Sequence, residues 1–220
     1  MAQQKEVTGN GFRGEYEFLS NMYATDVKVY GRTFSCSETA FQFAKCENPE
    51  EAEKIASLSG REAKAMGRRI TMRSDWDSAR LPAMEEIVHA KFQDPEMRSK
   101  LLSTEQTELV EYNTWHDTYW GVDIKTNRGE NHLGKILMQE RESIQKELTP
   151  IAIIQGPTSI LLYRDKAENY FFKNNVQFTN VSAKEAYHKI QMSVRNQIPV
   201  RGMKAALNHL RASVMGEIER

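Results

Sequence analysis

The amino-acid sequence predicts an α+β fold, predominantly helical, with short hairpins and a small C-terminal extension. Three observations carry that reading. Helix-start signals recur along the first 150 positions, strand-like runs come in short pairs around glycine, and the charge balance changes sign near Pro150. At 220 residues the chain holds one large domain, or a domain of about 150 residues with a small one beside it.

The elements follow in order. Residues 26–30 and 33–36 read as a hairpin turning at Gly31-Arg32. Ser35 or Ser37 can cap the next helix, Glu38 to Cys46. Asn48-Pro49-Glu50-Glu51 combines a cap, a proline in the first turn and acids at the positive end of the helix dipole. Ser59 and Glu62 have capping-box spacing, and Asp94-Pro95 repeats the start signal. A helix runs from Asn131 to about Leu148, with Leu133, Ile136 and Leu137 on one face, and Pro150 stops it. Residues 151–154, a Gly156-Pro157 turn and residues 158–163 read as a second hairpin. Ser182 and Glu185 form another capping box. Met203, Leu207, Leu210, Val214 and Ile218 then recur at helical spacing, as a stripe for core packing or, alternatively, a partner helix.

Thirty basic and thirty acidic residues cancel, so total charge points to no nucleic-acid partner. The distribution is uneven: residues 1–149 carry 20 Lys+Arg against 25 Asp+Glu, and residues 150–220 carry 10 against 5. That places a candidate boundary near Leu148-Thr149-Pro150. No apolar run approaches the roughly 18 residues of a membrane span, and MAQQKEVTGNGF has no signal-peptide pattern. Cys36 and Cys46 form neither a disulfide framework nor a zinc pattern. The expectation is a cytoplasmic protein.

Two segments concentrate chemistry. In Ser37-Glu38-Thr39-Ala40-Phe41-Gln42-Phe43-Ala44-Lys45, helical spacing puts Glu38, Gln42 and Lys45 on one face beside Phe41. Burial would lower the lysine pKa, and a neutral amine can attack a sugar or carbonyl carbon while the carboxylate moves the proton. The alternative is a surface ion pair. The second segment is Asn113 to Gly121 (NTWHDTYWG) followed by Arg128-Gly129-Glu130-Asn131. Aromatics beside hydrogen-bonding groups suit a nucleobase or a ribose, and free N–H groups after Asn131 suit an anion; the alternative is an aromatic mini-core under a loop. His89, His132, His188 and His209 have no metal-ligand spacing, and no zinc-deaminase signature, Walker loop or dinucleotide fingerprint is present.

Phe18-Leu19-Ser20-Asn21, Ser37-Glu38 with Gln42 and Lys45, and Asn113 to Met138 together resemble the NADAR, or YbiA-like, family over about residues 10–147. The resemblance implies an N-glycosidase of ribosylated substrates. Lys45 then matches a lysine that captures the ribose anomeric carbon as a Schiff base, and Glu38 the carboxylate at the head of the same helix. Asn21, Gln42, Trp115, Asp117, Trp120 and Asn131 would bind substrate, all converging on one pocket. Thr39 and Ala40 stand where relatives place a histidine and an aromatic, which alters the pocket's shape.

The leading expectation is release of ADP-ribose from ADP-ribosylated guanine in nucleic acid or nucleotide. The alternatives are the same cleavage of ribosylamino-pyrimidine intermediates of riboflavin synthesis, or an ADP-ribose- or NAD-binding module without turnover. Neither a metal nor a redox cofactor is required, and no membrane partner is expected. Residues 150–220 form a basic extension whose Arg195, Arg201, Lys204 and Arg211 suit an anionic partner such as nucleic acid, or simply complement the acidic domain.

Overall fold

The structure is a computed structural model that describes residues 11–218, with side chains to Met215; the N-terminal stretch 1–10 and the Ile218 side chain lie outside what it describes. Helices and strands are mixed, in an α+β arrangement. The described residues divide into two compact units, 11–97 with 106–140, and 98–105 with 141–218.

In the first unit a short 3-10 turn, Gly14–Leu19, precedes strands β1 (Val27–Val29) and β2 (Arg32–Phe34), which pair antiparallel. Tyr30 and Gly31 at the turn have φ of 55° and 69°. Helix α1 (Ser37–Ala44) buries Glu38, Thr39, Ala40, Phe41 and Gln42. Neither Ser35 nor Ser37 caps it. Cys36 stands at the cap position with no side-chain bond to the helix N–H groups, and the free Glu38 N–H donates instead to the Asn21 carbonyl at 2.8 Å. A neighbouring loop thus satisfies a helix end that a local side chain could have served.

Helix α2 (Pro49–Ala56) starts as its sequence requires, with Asn48 Oδ1 accepting from the Glu50 and Glu51 N–H groups. Helix α3 (Gly60–Met66) has the Ser59/Glu62 capping box. Helix α4 (Trp76–Lys91) was not anticipated. It contains Pro82, which reads as a stop, and its buried positions include the charged Lys91 with Trp76, Met84, Ile87 and Val88, so no clean apolar stripe announces it. Helix α5 (Pro95–Ser103) begins where Asp94 Oδ1 accepts from Glu96 and Met97 N–H. Two short parallel strands, β3 (Tyr112–Asn113) and β4 (Val122–Asp123), then lead into helix α6 (His132–Glu147).

The second unit holds a five-stranded antiparallel sheet: β5 (Thr149–Gln155), β6 (Ser159–Arg164), β7 (Tyr170–Asn174), β8 (Gln177–Val181) and β9 (Val200–Arg201), in the order β8-β7-β6-β5-β9. The β5–β6 hairpin was legible; β7 and β8 were not, though Asn175 takes the left-handed conformation their turn uses, at φ 52°. Helix α7 (Ala183–Arg195) has the Ser182/Glu185 capping box. It packs with α8 (Met203–Ile218) in a core of Ala152, Leu162, Tyr170, Ala186, Ile190, Ala206 and Leu210. Met203, Leu207 and Val214 complete that core, so the stripe is packing surface. Arg98 is buried in this unit as an ion pair, donating to Asp165 Oδ2 at 2.8 Å and Glu147 Oε2 at 3.0 Å.

Candidate active site

A cavity of about 650 Å³ opens in the first unit. Its floor comes from α1, where Glu38 and Gln42, four residues apart, present adjacent side chains: Gln42 Nε2 donates to Glu38 Oε1 at 2.9 Å. Lys64 of α3 approaches the same carboxylate oxygen at 4.0 Å. Asn21 enters from the loop whose carbonyl caps α1, and that loop is pinned from below by Lys91, whose Nζ donates to the Ser20 carbonyl at 2.9 Å.

The Asn113 to Gly121 segment lines the cavity through Asn113, Trp115, Asp117 and Trp120. Asn113 and Asp117 exchange bonds, Asn113 Nδ2 donating to the Asp117 carbonyl at 2.7 Å and the Asp117 N–H to Asn113 Oδ1 at 2.9 Å. Asp117 Oδ1 accepts from the Tyr119 and Trp120 N–H groups, so this carboxylate shapes the turn while bordering the cavity. Trp120 is locked edge-on against Phe41 at 5.4 Å and Tyr119 at 4.9 Å. Trp115 is different: it lines the cavity and stays 53% exposed. The His116-Asp117 neighbours of the sequence do not pair. His116 Nδ1 bonds Asp123 instead.

Six of the anticipated residues therefore border one cavity: Asn21, Glu38, Gln42, Trp115, Asp117 and Trp120. Two do not. Lys45 sits at the C-terminal end of α1, its Nζ donating to the Gly67 carbonyl at 2.7 Å. Burial still lowers its pKa from the ordinary lysine value, against weaker opposing pulls from Cys46 and Glu38. Asn131 turns inward, donating from Nδ2 to the Leu109 carbonyl at 2.9 Å and accepting at Oδ1 from the Glu111 N–H at 3.1 Å. The anion site anticipated after Asn131 is filled by backbone. The N–H groups of Asn131, His132 and Leu133 donate to the carbonyls of Gly121, Tyr119 and Trp120.

Lys64, Arg68 and Glu111 also border the cavity and were missed. Lys64 and Arg68 are four apart, the spacing of one helical face, and Glu111 is two residues from Asn113, the spacing of one strand face. Yet Arg68 lies past the end of α3 at Met66 and Glu111 just ahead of β3, so spacing alone does not bring them to the cavity. Among the described residues, no group of three or more His, Cys, Asp or Glu could hold a metal ion, and no helix is long and apolar enough to cross a membrane.

The family model of the NADAR domain matches residues 10–145, most of the chain and all of the cavity. The chain belongs to the NADAR domain family. Among NADAR relatives, N-glycosidase YbiA of Escherichia coli K12 is 37% identical over 137 residues, covering 60% of this chain and 84% of that protein. A riboflavin biosynthesis protein of Vibrio vulnificus is 34% identical over 142 residues, covering 63% of this chain and 38% of that protein. The NMR structure of E. coli YbiA superposes with a TM-score of 0.60 at 33% identity, over 67% of this chain and 89% of that one. The relatives named N-glycosidase are hydrolases acting on N-glycosyl bonds, in agreement with the reaction class expected from the sequence.

Proposed function

We propose that the protein is an N-glycosidase that hydrolyses the bond between a ribose and a nitrogenous base. The observation that supports it best is the pairing, in one cavity, of a hydrogen-bonded carboxylate, Glu38, with two tryptophans, inside the region matched by the family. Indole rings suit a base by stacking, and the carboxylate faces the positive charge that develops at the anomeric carbon as the base departs. Asn21, Gln42 and Asp117 supply polar edges for the sugar and base, and Asn131 acts by holding the backbone behind them.

Lys45 is the nucleophile in this reading. Its lowered pKa favours a neutral amine, and it shares a helix face with Glu38 and Gln42. It must leave the Gly67 carbonyl to reach a sugar. Glu38 accepts the proton the amine sheds. One observation favours a second assignment: Lys64 already borders the cavity, 4.0 Å from Glu38.

We place catalysis in residues 10–147, as a predominantly helical domain acting in the cytoplasm, with 150–220 as a basic extension. The substrate is ADP-ribosylated guanine. A second cavity of about 500 Å³ shares Ser20, Met22, Glu111 and Trp115 with the first, and Arg13, Arg61, Lys64 and Arg68 around the two cavities suit a diphosphate. The riboflavin-named relative favours a ribosylamino-pyrimidine instead. Incubation with ADP-ribosylated DNA and with the ribosylamino-pyrimidine, followed by mass spectrometry, separates the two. Borohydride added during turnover fixes sugar on Lys45; fixation on Lys64 transfers the role to that residue. Lys45→Arg abolishes turnover and trapping with the fold intact, because a guanidinium stays protonated. Ligand binding without product from either substrate refutes the enzyme.

A further inference from the structure

Glu111 has no part in the reaction above, yet it borders both cavities. Its backbone is fixed on two sides: the N–H donates to Asn131 Oδ1 at 3.1 Å and the carbonyl accepts from Val122 N–H at 2.8 Å. Gly121 packs so closely that a Cβ there would lie 2.1 Å from the Glu111 carbonyl oxygen. The carboxyl group is less well served. The Phe12 backbone N–H bonds it, while Oε2 is buried with no hydrogen-bond partner. A buried oxygen left over in a well-bonded site is a position for a proton or for a substrate atom. The charged groups facing it are Asp117 from the tryptophan segment, Arg13 ahead of the first 3-10 turn, and Lys64 of α3.

We propose that Glu111 is the acid of this site, giving its proton to the departing base nitrogen. The inference rests on the N-glycosidase reading. The bond between the anomeric carbon and nitrogen breaks with its electron pair on nitrogen, and that nitrogen takes the Glu111 proton. A water finally replaces the base at the anomeric carbon, keeping its hydroxyl there and returning one proton to Glu111. Glu38 is less suited to this step. It already accepts the Gln42 amide hydrogen and has the Lys64 ammonium 4.0 Å away, surroundings for a group that accepts rather than donates. Burial, reinforced by Asp117 and opposed by Phe12, Arg13 and Lys64, pushes Glu111 up to about 7, so it carries a proton near neutral pH.

The test compares wild type with Glu111→Gln on two substrates, ADP-ribosylated DNA and 4-nitrophenyl β-D-ribofuranoside, whose leaving group departs without a proton. Glu111→Gln should lose roughly 10²-fold or more in kcat on the first and stay within about threefold on the second. The wild-type kcat on the first should fall as pH rises through about 7, and the variant should lack that limb. A thermal melt gives a readout that does not depend on turnover. A carboxyl raised from 4.5 to about 7 by folding costs stability as pH rises through that interval, so the variant should gain in Tm at pH 8 and not at pH 4.5. Equal losses on both substrates, an unchanged alkaline limb, or a Tm difference independent of pH would each overturn the inference while leaving the N-glycosidase reading in place. A wild type inactive on both substrates and on the ribosylamino-pyrimidine refutes that reading, and this inference with it.

Discussion

Glu38 and Trp115 occupy the same cavity in opposite states, and their substitution should read out differently. Glu38 is buried, bonded by Gln42 and faced by Lys64. Glu38→Gln removes the proton acceptor and keeps the shape, so kcat should fall roughly 10²- to 10⁴-fold with little change in KM. Retained kcat would remove Glu38 from the proton path. Trp115 carries its ring half in solvent, whereas Trp120 is wedged between Phe41 and Tyr119. Trp115→Ala should therefore leave Tm nearly unchanged and raise KM about tenfold or more, since a stacked base is worth about 1–3 kcal/mol. A large loss of Tm with unchanged KM would make Trp115 a packing residue. The sequence singled out both side chains, yet only the fold separates the fixed indole from the free one.

Helices α1 and α3 meet where α3 ends at Gly67. A Cβ there would lie 1.9 Å from Gln42 Oε1, and the Gly67 carbonyl accepts from Lys45. One glycine thus sets the approach of two site residues, through close contact rather than a special φ, which is an ordinary −60°. Gly67→Ala should displace Gln42 from Glu38, costing at least tenfold in kcat/KM and about 1–3 kcal/mol in stability from overpacking. A variant with native activity would show that the two helices can move apart freely. Periodicity and capping located α1, α2, α3, α5, α6, α7 and α8 in the sequence, because those signals are local. Helix α4 escaped notice because its buried face includes a lysine and its body a proline. That lysine makes sense only beside the loop it holds.

The pH dependence of stability reflects buried groups spread over the fold. Lys91 is fully buried, bonded to the Ser20 carbonyl and faced by Cys36; burial lowers its pKa from 10.5 to about 7. The unfolded lysine therefore binds more protons than the folded one between those values, and this contribution to stability grows as pH rises from about 7. Tyr30 acts above pH 10: burial first, then Glu86, raises it from 10.0 to about 12, so the unfolded phenol ionises before the folded one and stability falls. The wild-type Tm contribution of this pair should climb from pH 7 to about pH 10 and then decline. Lys91→Met should flatten the climb and, by releasing the Asn21 loop, raise KM. An identical climb in the variant would assign it to other groups.

The sequence by itself determined the family pattern, the α1 face that carries Glu38 and Gln42, the tryptophan-rich segment, and most helix starts. Each depends on spacing within a few residues, which backbone geometry translates directly into a face or a cap. It also marked Lys45 and Asn131, and could not say where their side chains end. The tertiary structure decided that the Asn131 amide serves the Leu109 and Glu111 backbone, that Lys45 Nζ donates to the Gly67 carbonyl, and that Lys64 and Glu111 enter the cavity. Such outcomes turn on which distant polar groups remain unsatisfied once the elements pack. That competition for partners is settled between segments tens of residues apart, and no local pattern encodes it.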